Sequence, residues 1–135
     1  MPVRILIADD HERTRSILTD LIREAGWQVC SAVADGKAAV EKAAQLKPDV
    51  LVLDLVMPHQ DGMSAGRNIR SFLPNTPVLL YTMFSSPYVE SEARNSGFCG
   101  VVEKANGPAT HRGYQTRPRP KCADALRPHG FVKTS

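Results

Sequence analysis

The chain has 135 residues, 42% of them hydrophobic and 23% charged, which predicts a single soluble domain with a core large enough to fold alone. Its apolar runs fall short of the roughly 20 residues that a membrane span needs, and its N-terminus lacks the basic and apolar segments of a signal peptide. We therefore predict a cytoplasmic protein that does not bind a membrane. Three cysteines without metal-like spacing give no sign of a zinc site.

Charge is distributed unevenly along the chain. Residues 1–104 contain 11 Lys and Arg against 13 Asp and Glu, a net charge of −2, whereas residues 105–135 contain 6 against 1, a net charge of +5. The basic part also holds four prolines and shows no helical period. This asymmetry predicts a domain over residues 1–104, followed by a basic segment over 105–135 that is irregular or forms an atypical last helix.

Strand-like and helix-like segments alternate through residues 1–104. Short apolar runs typical of a covered parallel sheet predict strands over residues 3–8, 27–32, 50–54, 78–82 and 100–102. Apolar residues at helical spacing predict helices over residues 11–25, 38–46, 63–72 and 88–95. The strict alternation predicts an α/β fold with a doubly wound parallel sheet. A further helix should follow the last strand, but its pattern is weak.

Polar side chains stand where the predicted strands end. Asp9 and Asp10 follow the first strand, Asp54 ends the third, Thr82 ends the fourth, and Lys104 follows the fifth. Because the carboxyl ends of parallel strands share one edge of the sheet, where ligands of such folds bind, we expect these side chains to converge.

This set of side chains suits phosphoryl transfer. Three carboxylates in one cleft repel each other, so one must take up a proton or a cation must neutralise them. Mg2+ fits a site with few carboxylates, because it keeps several waters and accepts phosphate oxygens. Lys104 adds a positive charge and Thr82 a hydroxyl group, which leaves Asp54 as the in-line nucleophile.

Each residue also has an ordinary structural interpretation. Asp9 and Asp10 can cap the first helix, Asp54 can be a loop acid, and Thr82 and Lys104 can be a plain strand threonine and a solvated lysine. Their joint occurrence at successive strand ends favours a functional site. The neighbouring His11 can be a metal ligand, but we favour an exposed residue of the first helical turn.

At this point a family is recognisable. The chain resembles the receiver domain of two-component response regulators over residues 1–104. The resemblance is carried by 5–11 (ILIADDH), 49–58 (DVLVLDLVMP), Asp61-Gly62, 80–82 (LYT) and 97–104 (GFCGVVEK). It implies a flavodoxin-like five-stranded sheet of order 2-1-3-4-5.

The resemblance also implies a function. Asp54 would accept a phosphoryl group from a histidine kinase or phosphotransfer protein. Mg2+ would be held by Asp10 and Asp54, by Asp9 largely through water, and by the backbone carbonyl of Val56. The domain would catalyse its own phosphorylation and dephosphorylation only, so no separate enzyme activity is expected.

Two further positions match the family, and three depart from it. Thr82 resembles the hydroxyl residue that follows the phosphoryl group, and Lys104 the lysine that pairs with it. Val101, however, stands where an aromatic residue is usual, Met83 where a small residue is usual, and Ala105 where the lysine is commonly followed by proline. These departures concern the switch and the output face of the fourth helix, fifth strand and fifth helix, which in this family commonly carries dimerisation.

Several functions remain open beside a single-domain phosphorylated regulator. The chain can be a degenerate receiver that binds partners without phosphorylation, or the receiver part of a longer transcription regulator; the face just described leaves homodimerisation open. The basic segment is too short and unpatterned for a DNA-binding domain, so no specific nucleic-acid binding is expected. An aspartate-nucleophile phosphatase is disfavoured because Val56 stands where a second acid is needed. A flavodoxin-type flavin site is disfavoured because Asp9 and Asp10 would repel the phosphate.

Overall fold

The structure, a computed structural model, describes residues 3–83 and 85–103. Its strands are β1 Arg4–Ala8, β2 Gln28–Val33, β3 Val50–Asp54, β4 Val78–Thr82 and β5 Gly100–Glu103. Its helices are α1 Glu12–Glu24, α2 Gly36–Leu46, α3 Gly62–Phe72 and α4 Pro87–Asn95. The predicted βα alternation is confirmed. The segment 105–135 and the weak last helix lie outside the described residues, so the boundary at residue 104 stays a prediction.

The five strands form one parallel sheet in the order β2-β1-β3-β4-β5, which confirms the predicted flavodoxin-like topology. β2 pairs with one edge of β1, whereas β3, β4 and β5 are added in turn on the other side of β1. The order therefore reverses between β1 and β3, whose ends are aligned by the pairing of Ala8 with Leu53. A crevice beyond the carboxyl ends of these two strands is the expected ligand site of such a sheet.

Helices cover the sheet because side chains alternate along each strand. On one face, Leu6, Leu51, Leu53 and Leu80 join a buried cluster with residues of α2, α3 and α4. On the other face lies a second buried cluster, to which α1 contributes Leu18 and Ile22. The other members come from the strands and from the loops just before β2 and β5. They are Ile5, Ile7, Trp27, Val50, Val52, Leu79, Cys99 and Val102. No helix in the described part of the chain is long and apolar enough to cross a membrane.

Two helices begin earlier than the apolar spacing predicts, because polar residues cap them. Asp35 accepts a hydrogen bond from the backbone N–H of Ala38 at 2.7 Å, so α2 begins at Gly36. Asp61 accepts one from the backbone N–H of Ser64 at 2.8 Å. Such caps satisfy backbone donors that lack a partner in the first turn, so they determine where a helix starts.

The second strand is displaced by one residue from its predicted position. Trp27 was predicted to begin it, but the strand begins at Gln28, and Trp27 is only 4% exposed in the cluster beneath α1. The backbone N–H of Trp27 donates to the carbonyl of Ile22 at 3.1 Å, which belongs to the turn that ends α1. An apolar residue of that turn therefore reads in the sequence as the start of the strand.

A tight contact between α3 and the segment before β5 gives a test of this packing. Phe98 is 1% exposed, and a Cβ added at Gly66 would overlap its ring. We expect Gly66→Ala to lower the free energy of unfolding by about 1–3 kcal/mol through overpacking, although alanine alone would favour the helix. Urea denaturation measures the change. Asn68→Ala, at an exposed position of the same helix, is the control.

Replacing Phe98 by leucine in the Gly66→Ala background should recover part of the loss, because the shorter side chain leaves room for the added methyl group. If Gly66→Ala instead raises the free energy of unfolding, as helix propensity alone predicts, the described packing of Phe98 on α3 is wrong.

Candidate functional site at the carboxyl edge of the sheet

Two acids follow β1 and differ in their surroundings. Asp9 is 1% exposed, whereas Asp10 keeps about a third of its side chain accessible. Asp9 Oδ1 accepts a hydrogen bond from the backbone N–H of His11 at 2.8 Å. The imidazole Nδ1 of His11 lies 3.1 Å from Asp10 Oδ1 and 3.5 Å from Asp9 Oδ1. The first strand thus ends in a compact group of two carboxylates and one imidazole.

The interpretation of these acids as helix caps is wrong. The N-cap of α1 is His11, and its side chain makes no capping hydrogen bond. Asp9 binds the backbone N–H of the N-cap residue itself, which lies before the first helical turn. The hydrogen bond of Asp9 therefore lies before the first helical turn, and both acids lie at the sheet edge. His11 is 69% exposed at its side chain, as predicted.

Asp54 is the last residue of β3 and is 5% exposed, so its interpretation as a loop acid is wrong. Its Oδ1 accepts a hydrogen bond from the backbone N–H of Val56 at 3.4 Å. The Val56 side chain is 70% exposed beside it. A buried carboxylate thus stands at the floor of the crevice with an exposed apolar side chain at its rim.

The fold brings the predicted acids together. Ligand atoms of Asp9, Asp10, His11 and Asp54 all lie within 4.8 Å of one another, which makes an acidic pocket with the composition of a metal site. Thr82, at the end of β4, is buried at 3% exposure. Lys104 lies outside the described residues, so the structure places four of the five predicted strand-end residues at this edge.

Two residues that support the pocket were not identified from the sequence. Arg15, on α1, donates from Nη1 to the backbone carbonyl of Asp9 at 2.7 Å and so holds the end of β1. Gly62 begins α3 against the backbone of Asp54, where a Cβ would overlap the Asp54 carbonyl. A hydrogen bond to a backbone carbonyl leaves no pattern in the sequence, which is why the role of Arg15 could not be predicted. Gly62 did have a signal, the Asp61-Gly62 pair, which marked a turn and the family resemblance but did not reveal the close approach to Asp54.

Comparison with known proteins decides the family. A family model for the response regulator receiver domain matches residues 5–112. The chain belongs to this family. A chemotaxis protein, CheY of Thermotoga maritima, is 32% identical over 109 residues, which cover 81% of this chain and 91% of that protein. The receiver fold is likewise that of CheY in its solved complex with CheX, BeF3 and Mg2+ from Borrelia burgdorferi, with a TM-score of 0.77, 27% identity, and coverage of 81% and 83% of the two chains.

Other relatives are longer than this receiver domain. A protein-glutamate methylesterase/protein-glutamine glutaminase of Archaeoglobus fulgidus is 37% identical over 106 residues, which cover 78% of this chain but 30% of that protein. The transcriptional regulatory protein PdtaR of Mycobacterium tuberculosis is 36% identical, and 50% of its length is covered. The similarity to these proteins is therefore a similarity of receiver domains, and it supports a place in phosphorelay signalling.

Because the carboxylates of the acidic pocket repel each other, removal of one charge should stabilise the fold. Asp10→Asn removes one carboxylate from the group, so without divalent ions we expect the free energy of unfolding to rise by about 1 kcal/mol. Added Mg2+ should then stabilise the variant less than the parent, because a ligand is lost. Urea denaturation with and without Mg2+ measures both effects.

The control is Asp20→Asn, which neutralises an exposed acid on the same stretch of chain, in α1. It should leave both the stability and its response to Mg2+ nearly unchanged. A fall in stability for Asp10→Asn in the absence of Mg2+ would contradict mutual repulsion in the pocket.

Proposed function

We propose that this receiver domain is a phosphorylated switch in which Asp54 accepts a phosphoryl group from a histidine kinase or phosphotransfer protein in the presence of Mg2+. The observation that carries the proposal is the convergence of Asp9, Asp10 and Asp54 within 4.8 Å at the sheet edge. Two of these acids are buried, and repulsion among three neighbouring carboxylates costs free energy unless a proton or a cation compensates for it. The proposed location remains the cytoplasm.

In the proposed step, an oxygen of the Asp54 carboxylate attacks the phosphorus of a phosphohistidine on the donor. A new O–P bond forms as the N–P bond breaks, and the released imidazole nitrogen keeps the electron pair and takes up a proton. The product on this chain is an acyl phosphate. Hydrolysis by water returns the carboxylate and inorganic phosphate. These self-catalysed reactions are the only chemistry that we propose, and we propose no activity toward a separate substrate.

The pocket has the chemistry that Mg2+ requires. Carboxylate oxygens and a backbone carbonyl are the ligands of a hard cation. Asp10, Asp54 and the backbone carbonyl of Val56 would supply them, and Asp9 would act largely through water. When bound, Mg2+ would neutralise the acids and the charge on the transferring phosphoryl group. Asp9 and Asp10 would position the ion, and Asp54 would remain the nucleophile.

Two further residues belong to the proposed switch. Thr82 would hydrogen-bond the phosphoryl group with its hydroxyl, and Lys104 would pair with a phosphoryl oxygen. Thr82 is buried at the end of β4, in register with Glu103 of β5. A movement of the Thr82 side chain toward Asp54 would therefore shift the ends of β4 and β5. Phosphorylation would alter the protein surface through this shift.

The direct test is the intact mass of the protein after incubation with acetyl phosphate. With Mg2+ we expect a gain of one phosphoryl group, and without Mg2+ little or none, because the acids then repel the incoming phosphate. Asp54→Asn should show no gain, since an amide does not supply the nucleophilic oxygen. Asp20→Asn, an exposed acid away from the site, should be modified like the parent.

No gain of mass by the folded parent protein would sink the phosphorylation proposal. The same holds for a gain that persists in Asp54→Asn, which would place the phosphoryl group on another residue. Circular dichroism of each variant establishes that the comparison is made on folded protein.

The surface of α1 provides a place for the donor to dock. The donor must bring its phosphohistidine to Asp54, so it must contact the elements that border the pocket, and α1 begins directly after the acids. Ile17 and Leu21 are 50% and 49% exposed on this helix, one turn apart. Adjacent exposed apolar side chains on a helix are typical of a surface that a partner covers.

We expect the double substitution Ile17→Ala and Leu21→Ala to slow phosphoryl transfer from a cognate histidine kinase by about tenfold or more, since apolar anchors dominate interface energies. Phosphorylation by acetyl phosphate should stay unchanged, because it needs no docking surface. Transfer from radiolabelled kinase measures the first rate. Phe72→Ala, which removes an exposed apolar side chain at the end of α3, is the control. Equal slowing by the control would refute this docking face.

One alternative is favoured by a specific observation. Val101 is 2% exposed on β5, where receiver domains usually carry an aromatic residue, and Met83 is 43% exposed where a small residue is usual. A receiver that binds partners without phosphorylation would tolerate valine at position 101 and methionine at position 83. The same mass measurement separates it from the phosphorylated switch. A place within a longer transcription regulator is the other alternative, since relatives such as PdtaR extend beyond the receiver domain.

A further inference from the structure

The imidazole of His11 is a feature of the acidic pocket that the proposed function leaves unused. Its Nδ1 lies 3.1 Å from Asp10 Oδ1 and 3.5 Å from Asp9 Oδ1. It belongs to the group of four ligand atoms that lie within 4.8 Å of one another. Two ligands on opposite sides of a small divalent ion are about 4.2 Å apart, so the group must contract only slightly to share one ion.

Local structure directs this imidazole toward the acids. His11 is the N-cap residue of α1 with extended backbone, yet its side chain makes no capping hydrogen bond. Its backbone N–H is instead bound by Asp9 Oδ1, which fixes the residue beside the carboxylates. Asp9 is in turn anchored through its own carbonyl by Arg15. The helix therefore does not employ the imidazole, and the chain on both sides of it is held.

We propose that His11 supplies a nitrogen ligand to the cation of this pocket, so that the site favours later transition ions such as Ni2+ over Mg2+. The proposal rests on the cation site of the proposed function. Carboxylate and carbonyl oxygens suit Mg2+ and Mn2+, whereas imidazole nitrogen suits ions such as Ni2+ and Zn2+. A site that adds an imidazole to its oxygen ligands therefore binds Ni2+ with an advantage that an all-oxygen site lacks, whereas Mg2+ and Mn2+ gain little from the nitrogen.

The neighbouring charges determine what else the imidazole can do. The acids that face it, Asp9 and Asp10, also attract a protonated imidazole, so an ion pair is the competing role for His11. The two roles differ in one observable. A ligand nitrogen is within bonding distance of the ion and couples to its electron spin, whereas a displaced or ion-paired imidazole does not.

The experiment is pulsed electron paramagnetic resonance of the full chain with bound Mn2+, which detects a coordinated nitrogen as modulation from its nuclear spin. We expect nitrogen modulation in the parent protein and its loss in His11→Gln. The control is His59→Asn, which removes an exposed histidine of the β3–α3 loop at a backbone φ of 69° that asparagine tolerates. This control should keep the modulation.

Calorimetric titration provides the second measurement. His11→Gln should raise the Kd for Ni2+ by roughly tenfold, of the order seen when a residue supporting a metal site is lost, and should change the Kd for Mg2+ and Mn2+ by less than about twofold. His59→Asn should leave all three constants unchanged.

The outcomes separate this inference from the proposed function. Mn2+ that binds without nitrogen modulation, in a protein that acetyl phosphate still phosphorylates on Asp54, overturns the role of His11 and leaves the phosphorylated switch standing. Absence of any ion binding together with absence of phosphorylation overturns both. Nitrogen modulation that is kept in His11→Gln but lost in His59→Asn would assign the ligand nitrogen to His59, which also overturns the inference.

Discussion

The structure around the candidate site depends on one constraint, the electrostatic repulsion among three carboxylates. Asp9, Asp10 and Asp54 are brought within a few ångströms of each other where β1 and β3 end, and two of them are almost completely buried. Bringing such groups out of water costs free energy unless hydrogen bonds, opposite charges or a cation compensate. Each feature around the pocket can be understood by how it tolerates or uses this concentration of negative charge.

The fold supplies part of the compensation. The sheet is parallel, so every following helix begins at the edge where the acids lie, and α1 and α3 start directly beside them. The N-terminus of a helix carries a partial positive charge that favours nearby anions. Backbone N–H groups of His11 and Val56 donate to Asp9 and Asp54. These donors hold the carboxylates in place but add no full positive charge, which leaves a cation as the natural complement.

The strands that position the acids are largely buried, and the departure from the family lies away from them. All five residues of β3 and four of the five residues of β1 are buried. On β5, however, Val101 packs into the cluster beneath α4. A valine has no ring to move between buried and exposed positions. Thr82 pairs with Glu103 where β4 and β5 end, so in the proposed switch these strand ends would carry the signal. The receiver scaffold of this chain has a buried valine on β5.

The sequence by itself determined the order of elements, the parallel sheet and the three acids that meet at the sheet edge. Apolar runs such as residues 50–54 identify covered strands, and an acid that ends such a run must lie at the carboxyl edge. Strand order came from resemblance to a family, because pairing between distant strands leaves no local pattern. Element ends were least predictable: Trp27 fills a turn, and Asp35 and Asp61 extend their helices by capping.

Only the tertiary structure decided what the side chains at the edge contact. It showed that His11 occupies the N-cap position of α1 without a side-chain capping bond, that Arg15 anchors the carbonyl of Asp9, and that the imidazole of His11 lies against two carboxylates. The physical reason is distance. Residue type and spacing predict which chain segments meet, but hydrogen bonds and ion ligands depend on positions to within a few tenths of an ångström, and those are set by the packing of the whole domain.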